Sequence, residues 1–175
     1  MKNVAIIGAG PTGIYTFYAL LERGEPLAIT VYEQAEEAGV GMPYSDDNNA
    51  SLMLANIASI EIPPIFITYL QWLRGQSDGW LARWGLERAS LHERQFLPRV
   101  MLGDYYHDRF LALVKKARQL GFVVNVQESS KVTDAQATPN GVNVWVEERH
   151  AADIFDYVVL ATGHLWPQDD NSPRD

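Results

Sequence analysis

Three glycines near the start of the chain have the spacing of an anion-binding turn. The pattern G-x-G-x-x-G follows the apolar run Val4-Ala5-Ile6-Ile7 and is formed by Gly8, Gly10 and Gly13. In such a turn the first glycine permits a tight bend, the second lets a pyrophosphate approach the backbone, and the third lets a helix pack closely on the preceding strand. The free N–H groups at the start of that helix favour the anion. The spacing therefore predicts a pyrophosphate site.

An acidic residue further along the chain supports this interpretation. A second apolar run, Leu27 to Tyr32, ends at Glu33, which lies 20 residues after Gly13. At about this spacing a carboxylate in a dinucleotide fold accepts hydrogen bonds from the hydroxyls of a ribose. Because a carboxylate repels a 2′-phosphate, the nucleotide expected here is FAD or NAD rather than NADP. The alternative is a glycine-rich turn followed by an incidental acid.

Helical periodicity predicts the elements that flank these strands. Apolar residues after Gly13 recur at helical spacing, and the longest predicted helix runs from about Pro98 to Leu120, just before Gly121. The apolar face expected for that helix comprises Leu102, Tyr106, Phe110, Leu113, Ala117 and Leu120.

Two shorter helices are expected in the middle of the chain. Helical spacing follows Pro63-Pro64 as far as Gly75, and a short helix is expected over Trp80 to Trp84. The aromatic residues of this region are expected to pack in a core or a domain interface, with an aromatic substrate pocket as the less favoured alternative.

The second half of the chain changes to extended periodicity. Three β-rich segments, 122–127, 131–138 and 142–147, predict a small antiparallel three-stranded meander, with a turn at Pro139-Asn140-Gly141.

A further buried strand is predicted over Tyr157 to Leu160, and it leads into Ala161-Thr162-Gly163. Ligands in an open α/β sheet bind beyond the carboxyl ends of the strands, so this segment is expected beside the first glycine turn. The predicted fold class is α/β, a Rossmann-like parallel sheet with flanking helices and a small antiparallel three-stranded meander.

Several polar or flexible residues between the elements are also candidates for a ligand site. Gly39 and Gly41 could bring backbone amides against a phosphate or flavin, or could form a plain surface turn. Asn56 stands alone in an apolar run, so its buried amide either anchors its own loop or binds the cofactor. Arg99 lies near a helix start, where the dipole gives a cation no benefit, so it is either a contact to an anionic group or an ordinary surface arginine. His107 is expected on the solvated side of that helix.

Composition limits the classes of function. The 175 residues suit one domain, and the net charge of −8 with no long basic run excludes nucleic acid and anionic membrane surfaces as expected partners. The absence of cysteine removes disulfides and thiolate redox chemistry, and the histidines do not have metal-ligand spacing. No charged leader and no apolar run of about 18 residues is present, so a cytoplasmic location is expected.

Together the motifs resemble the FAD-binding segment of the two-dinucleotide-domain flavoproteins, the glutathione-reductase-like superfamily. The motifs are Gly8 to Gly13 with Glu33, and the later Asp156-x-x-x-Leu160-Ala161-Thr162-Gly163 followed by Pro167. The later motif is also similar to one in flavin-dependent N-hydroxylating monooxygenases, although here Pro167 follows sooner and His164 succeeds the glycine. A group of bacterial proteins described only as FAD/NAD(P)-binding shares segments like Gly39 to Ser45, Leu54 to Ile57 and Phe96 to Arg99.

The resemblance implies a role for each matching residue. At the FAD pyrophosphate it places Gly8, Gly10, Pro11, Thr12 and Gly13. At the adenosine it places Glu33 on the ribose, with the adenine near Gln34 and Val132. Along the path to the flavin it places Gly41, Met42, Asn56 and Arg99. The residues implied to close over the cofactor are Ala161, Thr162 and Gly163. No catalytic residue is assigned, and His164 is either an acid or base near the flavin or a structural residue at the strand end.

The resemblance also implies parts that this sequence does not contain. Such flavoproteins have a second G-x-G-x-x-G for the nicotinamide cofactor and a final FAD segment. Residues 1–167 are therefore expected to form an N-terminal FAD-binding Rossmann-like segment, with 168–175 as a polar tail. The reductant NAD(P)H is expected to bind a C-terminal domain or a partner chain.

Two functions from different classes follow. The first is the FAD-binding portion of a nicotinamide-dependent flavin oxidoreductase or monooxygenase. The second is a non-catalytic nucleotide-binding module or subunit that holds FAD or NAD. A plain NAD-dependent dehydrogenase is less favoured, because the Ala-Thr-Gly strand and the meander belong to the flavoprotein pattern.

Overall fold

The fold is built on four parallel strands. The computed structural model describes residues 1–46 and 53–163. The strands β1 (Asn3–Ile7), β2 (Ala28–Tyr32), β3 (Val123–Gln127) and β7 (Tyr157–Leu160) lie in the order β3-β2-β1-β7. In register, Ile7 is opposite Tyr32 on one side and Leu160 on the other, and Tyr32 is opposite Gln127. The carboxyl ends of all four strands therefore form one edge.

A second, antiparallel sheet contains β4 (Val132–Thr138), β5 (Gly141–Val146) and β6 (Asp153–Phe155) in that order. A three-stranded antiparallel meander is confirmed, but its predicted membership is wrong. Segment 122–127 belongs to the parallel sheet as β3, and β6 supplies the third strand of the meander. Because β3 follows a long helix, it returns to the sheet through a crossover connection and pairs in parallel with β2.

The helices are α1 (Pro11–Glu22), α2 (Tyr69–Gly75), α3 (Asp78–Arg83) and α4 (Arg99–Gln119). The predicted long helix is confirmed as α4 with nearly the expected bounds. Leu120 was predicted on its buried face, but it is exposed because it lies after the last helical turn. In the described segments no helix is long and apolar enough to cross a membrane.

The start of α2 differs from the prediction. The helix begins at Tyr69 because Thr68 caps it: the Thr68 hydroxyl accepts the Gln71 N–H at 3.1 Å, and the Gln71 carbonyl Oε1 accepts the Thr68 N–H at 2.8 Å. The aromatic residues of this region pack in the core, as predicted. Tyr69 stacks on Trp72 with ring centroids 5.9 Å apart and also contacts the Tyr105 ring.

The two faces of the parallel sheet are covered by different elements. Alternate residues of β1 and β2 pack against α1 and α4, where the buried side chains include Ile6, Ile29, Phe17 and Phe110. The other face of these strands packs against the meander through Ala5, Ile7, Tyr32, Val144, Val146 and Phe155. The predicted α/β fold class is confirmed.

The strand β7 is more exposed than the buried strand that was predicted. Within the described residues it pairs with β1 on one side and with no strand on the other. Tyr157 and Leu160 are accordingly 58% and 68% exposed.

Asp156 connects the starts of β1 and β7, and this connection depends on pH. Its Oδ2 accepts the Asn3 N–H at 2.7 Å, and its Oδ1 lies 2.5 Å from Lys2 Nζ. The Asn3 hydrogen bond, followed by Lys2, lowers the pKa of Asp156 below its ordinary value of 3.8. Because the pKa of Asp156 is lower in the folded than in the unfolded state, the ionised carboxylate stabilises the fold above pH 3.8. That contribution is lost as the pH falls through the folded-state pKa.

We expect Asp156→Asn to lower the melting temperature at pH 6 in low salt, because the ion pair with Lys2 is lost. The difference from the unsubstituted protein should shrink as the pH falls below 3.8 and passes through the lowered folded-state pKa of Asp156, because the carboxyl group then loses its charge. Thermal unfolding followed by circular dichroism at several pH values measures it. A difference that does not change with pH would contradict this role of the carboxylate.

Candidate cofactor-binding site

The turn between β1 and α1 leaves amide groups available at a helix N terminus. Gly8 has φ +103°, and its N–H donates to the Tyr32 carbonyl at 2.8 Å. Gly10 is the N-cap residue and provides no side-chain hydrogen bond to the helix, while Pro11 occupies the first turn without an N–H. The first turn contains no acidic residue. The helix start therefore suits an anion, because neither a cap nor a carboxylate competes for its N–H groups.

The approach of α1 to β1 requires glycine. A Cβ atom on Gly13 would lie far inside van der Waals contact with the Gly8 carbonyl oxygen, and would also approach Ile6 Cγ2 at 3.4 Å. The predicted role of Gly13 in close helix–strand packing is confirmed.

The segment after β7 lies directly against the same turn. A Cβ atom on Gly8 would overlap the Ala161 carbonyl oxygen and would lie 3.3 Å from the Cα of Thr162. The Ala161 N–H donates to the Ile7 carbonyl at 2.8 Å, which extends the strand pairing by one residue. Gly163 follows with φ +70° and is exposed. The predicted proximity of the two glycine segments is confirmed, while their contact with a cofactor stays a prediction.

The Glu33 carboxylate is fixed within the glycine turn. Its Oε2 accepts the Ala9 N–H and its Oε1 accepts the Ala35 N–H, both at 3.0 Å. Each carboxylate oxygen can accept more than one hydrogen bond, so these contacts leave capacity for hydroxyl donors. The side chain is thus held in place beside the glycine turn, while its contact with a ribose stays a prediction.

The loop that carries Gly39 and Gly41 is not a plain surface turn. Gly39, with φ +96°, is buried, and a Cβ atom there would lie 2.8 Å from Phe110 Cβ in α4. Gly41, with φ +79°, approaches the first turn, because its Cβ atom would lie 3.1 Å from the Gly10 Cα and 2.9 Å from Pro11 Cδ. Met42 begins a short 3₁₀ turn, Met42–Tyr44, and is half-buried. Two glycines therefore let this loop pack between α4 and the glycine turn.

The residues predicted at the adenine lie near the same edge of the sheet. Gln34 follows Glu33 and is exposed, and Val132 is half-buried at the start of β4. The connection between β3 and β4 holds this region, because the Ser130 N–H donates to the Glu33 carbonyl at 2.8 Å. Their contact with adenine stays a prediction.

The structure gives Asn56 and Arg99 different surroundings from those expected. Asn56 is exposed, so the prediction of a buried amide is wrong; in this extended stretch the side chain of Ala55 points inward instead. The Arg99 N–H donates to the Met53 carbonyl at 2.8 Å, and its Nε donates to the Leu54 carbonyl at 3.3 Å. Arg99 thus binds its neighbouring loop, and a contact with the cofactor stays a prediction for both residues.

The prediction that His107 lies on the solvated side of α4 is wrong. Its side chain is only 27% exposed, its Nδ1 is 2.8 Å from the Ala38 carbonyl oxygen, and its Nε2 is 3.4 Å from a Glu37 carboxylate oxygen. Glu128 also contacts this loop, because its Oε1 accepts the Ala38 N–H at 2.8 Å. Sequence reasoning missed both contacts because a backbone partner leaves no pattern in the sequence.

Glu37 lies at the outer end of His107, and Asp104 interacts electrostatically with the same side chain. Partial burial raises the pKa of Asp104, which lies one turn earlier in α4, and the negative charges of Asp46 and Glu37 raise it further.

His164, Pro167 and the predicted tail 168–175 lie outside the described residues.

The parallel sheet, the glycine turn and the acid after the second strand define a Rossmann-like dinucleotide-binding protein. Residues 5–165 match the FAD-NAD(P)-binding family, and the chain belongs to this family.

One curated relative is similar to almost the whole chain. It is the uncharacterized protein YdhS of Escherichia coli (strain K12), with 55% identity over 174 residues, which are 99% of this chain and 33% of that protein. The chain therefore spans about a third of the length of this relative.

Solved structures with a similar course of the chain include several proteins of much lower identity. The Diels-Alderase PyrE3 of pyrroindomycin biosynthesis has 22% identity and a TM-score of 0.49, over 93% of this chain and 32% of its own. The reduced form of ornithine hydroxylase (PvdA) from Pseudomonas aeruginosa has 15% identity and a TM-score of 0.48, over 94% and 36%. CtdE in complex with FAD and its substrate 4 has 16% identity and a TM-score of 0.47, over 91% and 37%.

The contact between Gly13 and Gly8 can be tested with a matched pair of substitutions. We expect Gly13→Ala to lower the free energy of unfolding by about 2–4 kcal/mol, because the new methyl group meets a backbone oxygen that cannot move away independently. Gly79→Ala, also in the first turn of a helix but with no heavy atom within 4 Å of the added Cβ, should be neutral or stabilising by up to about 1 kcal/mol. Urea denaturation compares the two. Equal stabilities would contradict the close packing.

Proposed function

We propose that this chain is the FAD-binding portion of a nicotinamide-dependent flavin oxidoreductase or monooxygenase. The observation that carries the proposal is the contact between the two glycine segments, Gly8 to Gly13 and Ala161 to Gly163, beside the fixed carboxylate of Glu33. The proposal is supported because a glycine turn, a carboxylate and a second glycine segment lie together at the edge of the sheet where such folds bind their ligands.

The arrangement suits the chemical groups of FAD. The N–H groups of Thr12 and Gly13 would bind the pyrophosphate, since no side chain of the N-cap residue occupies them. Glu33 would accept the ribose hydroxyls, and the backbone near Gly41 would lie close to the pyrophosphate, since it lies against Gly10. When bound, FAD supplies the electron-transfer chemistry, and the protein supplies position and electrostatics.

The proposed reductant would bind elsewhere. This chain spans 33% of its curated relative, so the NAD(P)H site is proposed for the remaining part of the full protein or for a partner chain. Turnover with NADH or NADPH would then require that part.

A second candidate function is a non-catalytic nucleotide-binding module. The observation that favours it is the Glu33 carboxylate itself, because a ribose diol occurs in NAD as well as in FAD. Retention of NAD instead of FAD favours this second candidate, whereas reduction of bound flavin by NADH or NADPH in the presence of the remaining part of the protein favours the first.

The absorption spectrum of the purified protein tests the proposed function. We expect a yellow protein with flavin absorbance, or a colourless protein that binds added FAD in preference to NAD. Isothermal titration calorimetry with FAD and with NAD measures that preference. Binding of NAD without any binding of FAD would overturn the flavin assignment and favour the second candidate.

Glu33→Gln should weaken FAD binding by about 1–3 kcal/mol, because the amide offers one acceptor oxygen where the carboxylate offers two. The Ala9 and Ala35 N–H groups would then compete with the ribose for that oxygen. The measurement is the FAD dissociation constant from flavin fluorescence. Glu36→Gln is the control, since Glu36 is exposed on the same loop and the substitution removes the same charge. Unchanged affinity in Glu33→Gln would refute the ribose contact.

A further inference from the structure

We infer that His107 and Glu128 are positioning residues for the cofactor site, which act by holding the backbone of Ala38. We call these three residues the Ala38 clamp. The inference rests on the proposed function in so far as FAD is the ligand whose binding the clamp supports.

Both backbone polar groups of Ala38 are bound by side chains from different elements. Its N–H donates to Glu128 Oε1, in the connection between β3 and β4, at 2.8 Å. Its carbonyl oxygen lies 2.8 Å from Nδ1 of His107 in α4. Because a carbonyl oxygen only accepts, Nδ1 carries the proton and donates. Ala38 is 1% exposed and belongs to no helix or strand, so these side chains supply the partners that a buried peptide group needs.

The next three residues of the loop connect Ala38 to the contact with the glycine turn. Gly39 follows directly, and a Cβ atom there would lie 3.1 Å from the His107 Cα. Gly41 then lies against Gly10 and Pro11. Both loop glycines have positive φ values, and glycine loses much conformational freedom when it is ordered. A clamp immediately before such a segment reduces the freedom that remains to be lost when a ligand binds.

The rest of the loop is held without Glu128. The Ser130 N–H donates to the Glu33 carbonyl at 2.8 Å, and the Ser129 N–H donates to the Ala35 carbonyl at 2.9 Å. These bonds join backbone groups, so a change of the Glu128 side chain leaves them in place. The clamp can therefore be removed without removing the connection between the β3–β4 turn and Glu33.

Substitutions that remove the charge of Glu128 distinguish a positioning role from an electrostatic role. A negative charge near a pyrophosphate opposes its binding, so a purely electrostatic role predicts that neutral substitutions strengthen binding. A positioning role predicts instead that FAD affinity depends on an acceptor oxygen at the right distance from the Ala38 N–H, and not on the charge of Glu128.

The first test is the FAD dissociation constant of the full chain, measured by flavin fluorescence. We expect Glu128→Ala and His107→Ala to weaken FAD binding on the order of tenfold. Glu128→Gln keeps an acceptor oxygen and His107→Asn keeps a donor N–H, so both should stay within about threefold of the unsubstituted protein.

Glu128→Asp keeps the charge but withdraws the acceptor by one methylene, so it should weaken binding as Glu128→Ala does, and it replaces that variant if the alanine protein fails to fold. Glu36→Ala is the control for charge on the same loop.

The second test needs no ligand. Amide hydrogen exchange of the FAD-free protein should become about tenfold faster at residues 38–41 in Glu128→Ala and His107→Ala, with exchange in β1 and α4 unchanged. Unchanged exchange at these residues, or FAD affinities equal to those of the unsubstituted protein, would overturn the clamp while the proposed function stands. If the unsubstituted protein binds no FAD, the proposed function and the cofactor role of the clamp both fail, while faster exchange would still show that Ala38 is held.

Discussion

The candidate site depends on backbone contacts that only glycine permits. The start of α1 reaches β1 because Gly13 has no side chain facing the Gly8 carbonyl, and the segment after β7 reaches the same point because Gly8 has none facing Ala161. Three chain segments therefore meet through main-chain atoms alone. A helix N terminus capped by a side chain offers fewer N–H groups to a ligand, whereas here the N-cap residue Gly10 makes no side-chain hydrogen bond to the helix.

The register of the parallel sheet determines what surrounds this contact. Because Ile7 is aligned with Tyr32 and Leu160, the segments that leave β1, β2 and β7 begin at the same level. Glu33 is the first residue after β2, which is why its carboxylate reaches the Ala9 N–H. The loop beyond Glu33 continues toward α4 and returns at Gly41 to the first turn of α1. Sheet geometry thus assembles residues that are separated by more than 100 positions in the chain.

Local patterns were sufficient to predict the parts of the fold that depend on local chemistry. The glycine turn, the acid at Glu33 and the bounds of α4 follow from spacing and periodicity, and the structure contains all of them. The strand at 123–127 was assigned to the wrong sheet, because its residues suit either pairing and only the preceding helix decides between them. His107 and Glu128 were missed for a different reason. Their partner is the backbone of Ala38, and any residue other than proline at that position offers the same N–H and carbonyl groups.

The net charge of −8 would repel a pyrophosphate, so the proposed ligand must be held by short-range contacts. At physiological salt the repulsion between charges is screened beyond about 8 Å. The attraction between a ligand and N–H groups in direct contact with it is not screened in this way. The first turn of α1 contains no acidic residue, and the nearby carboxylate of Glu33 already accepts two backbone N–H groups. These two hydrogen bonds partly compensate the negative charge of Glu33 next to the glycine turn. A site of this kind would bind an anion through backbone N–H groups although the protein as a whole is acidic.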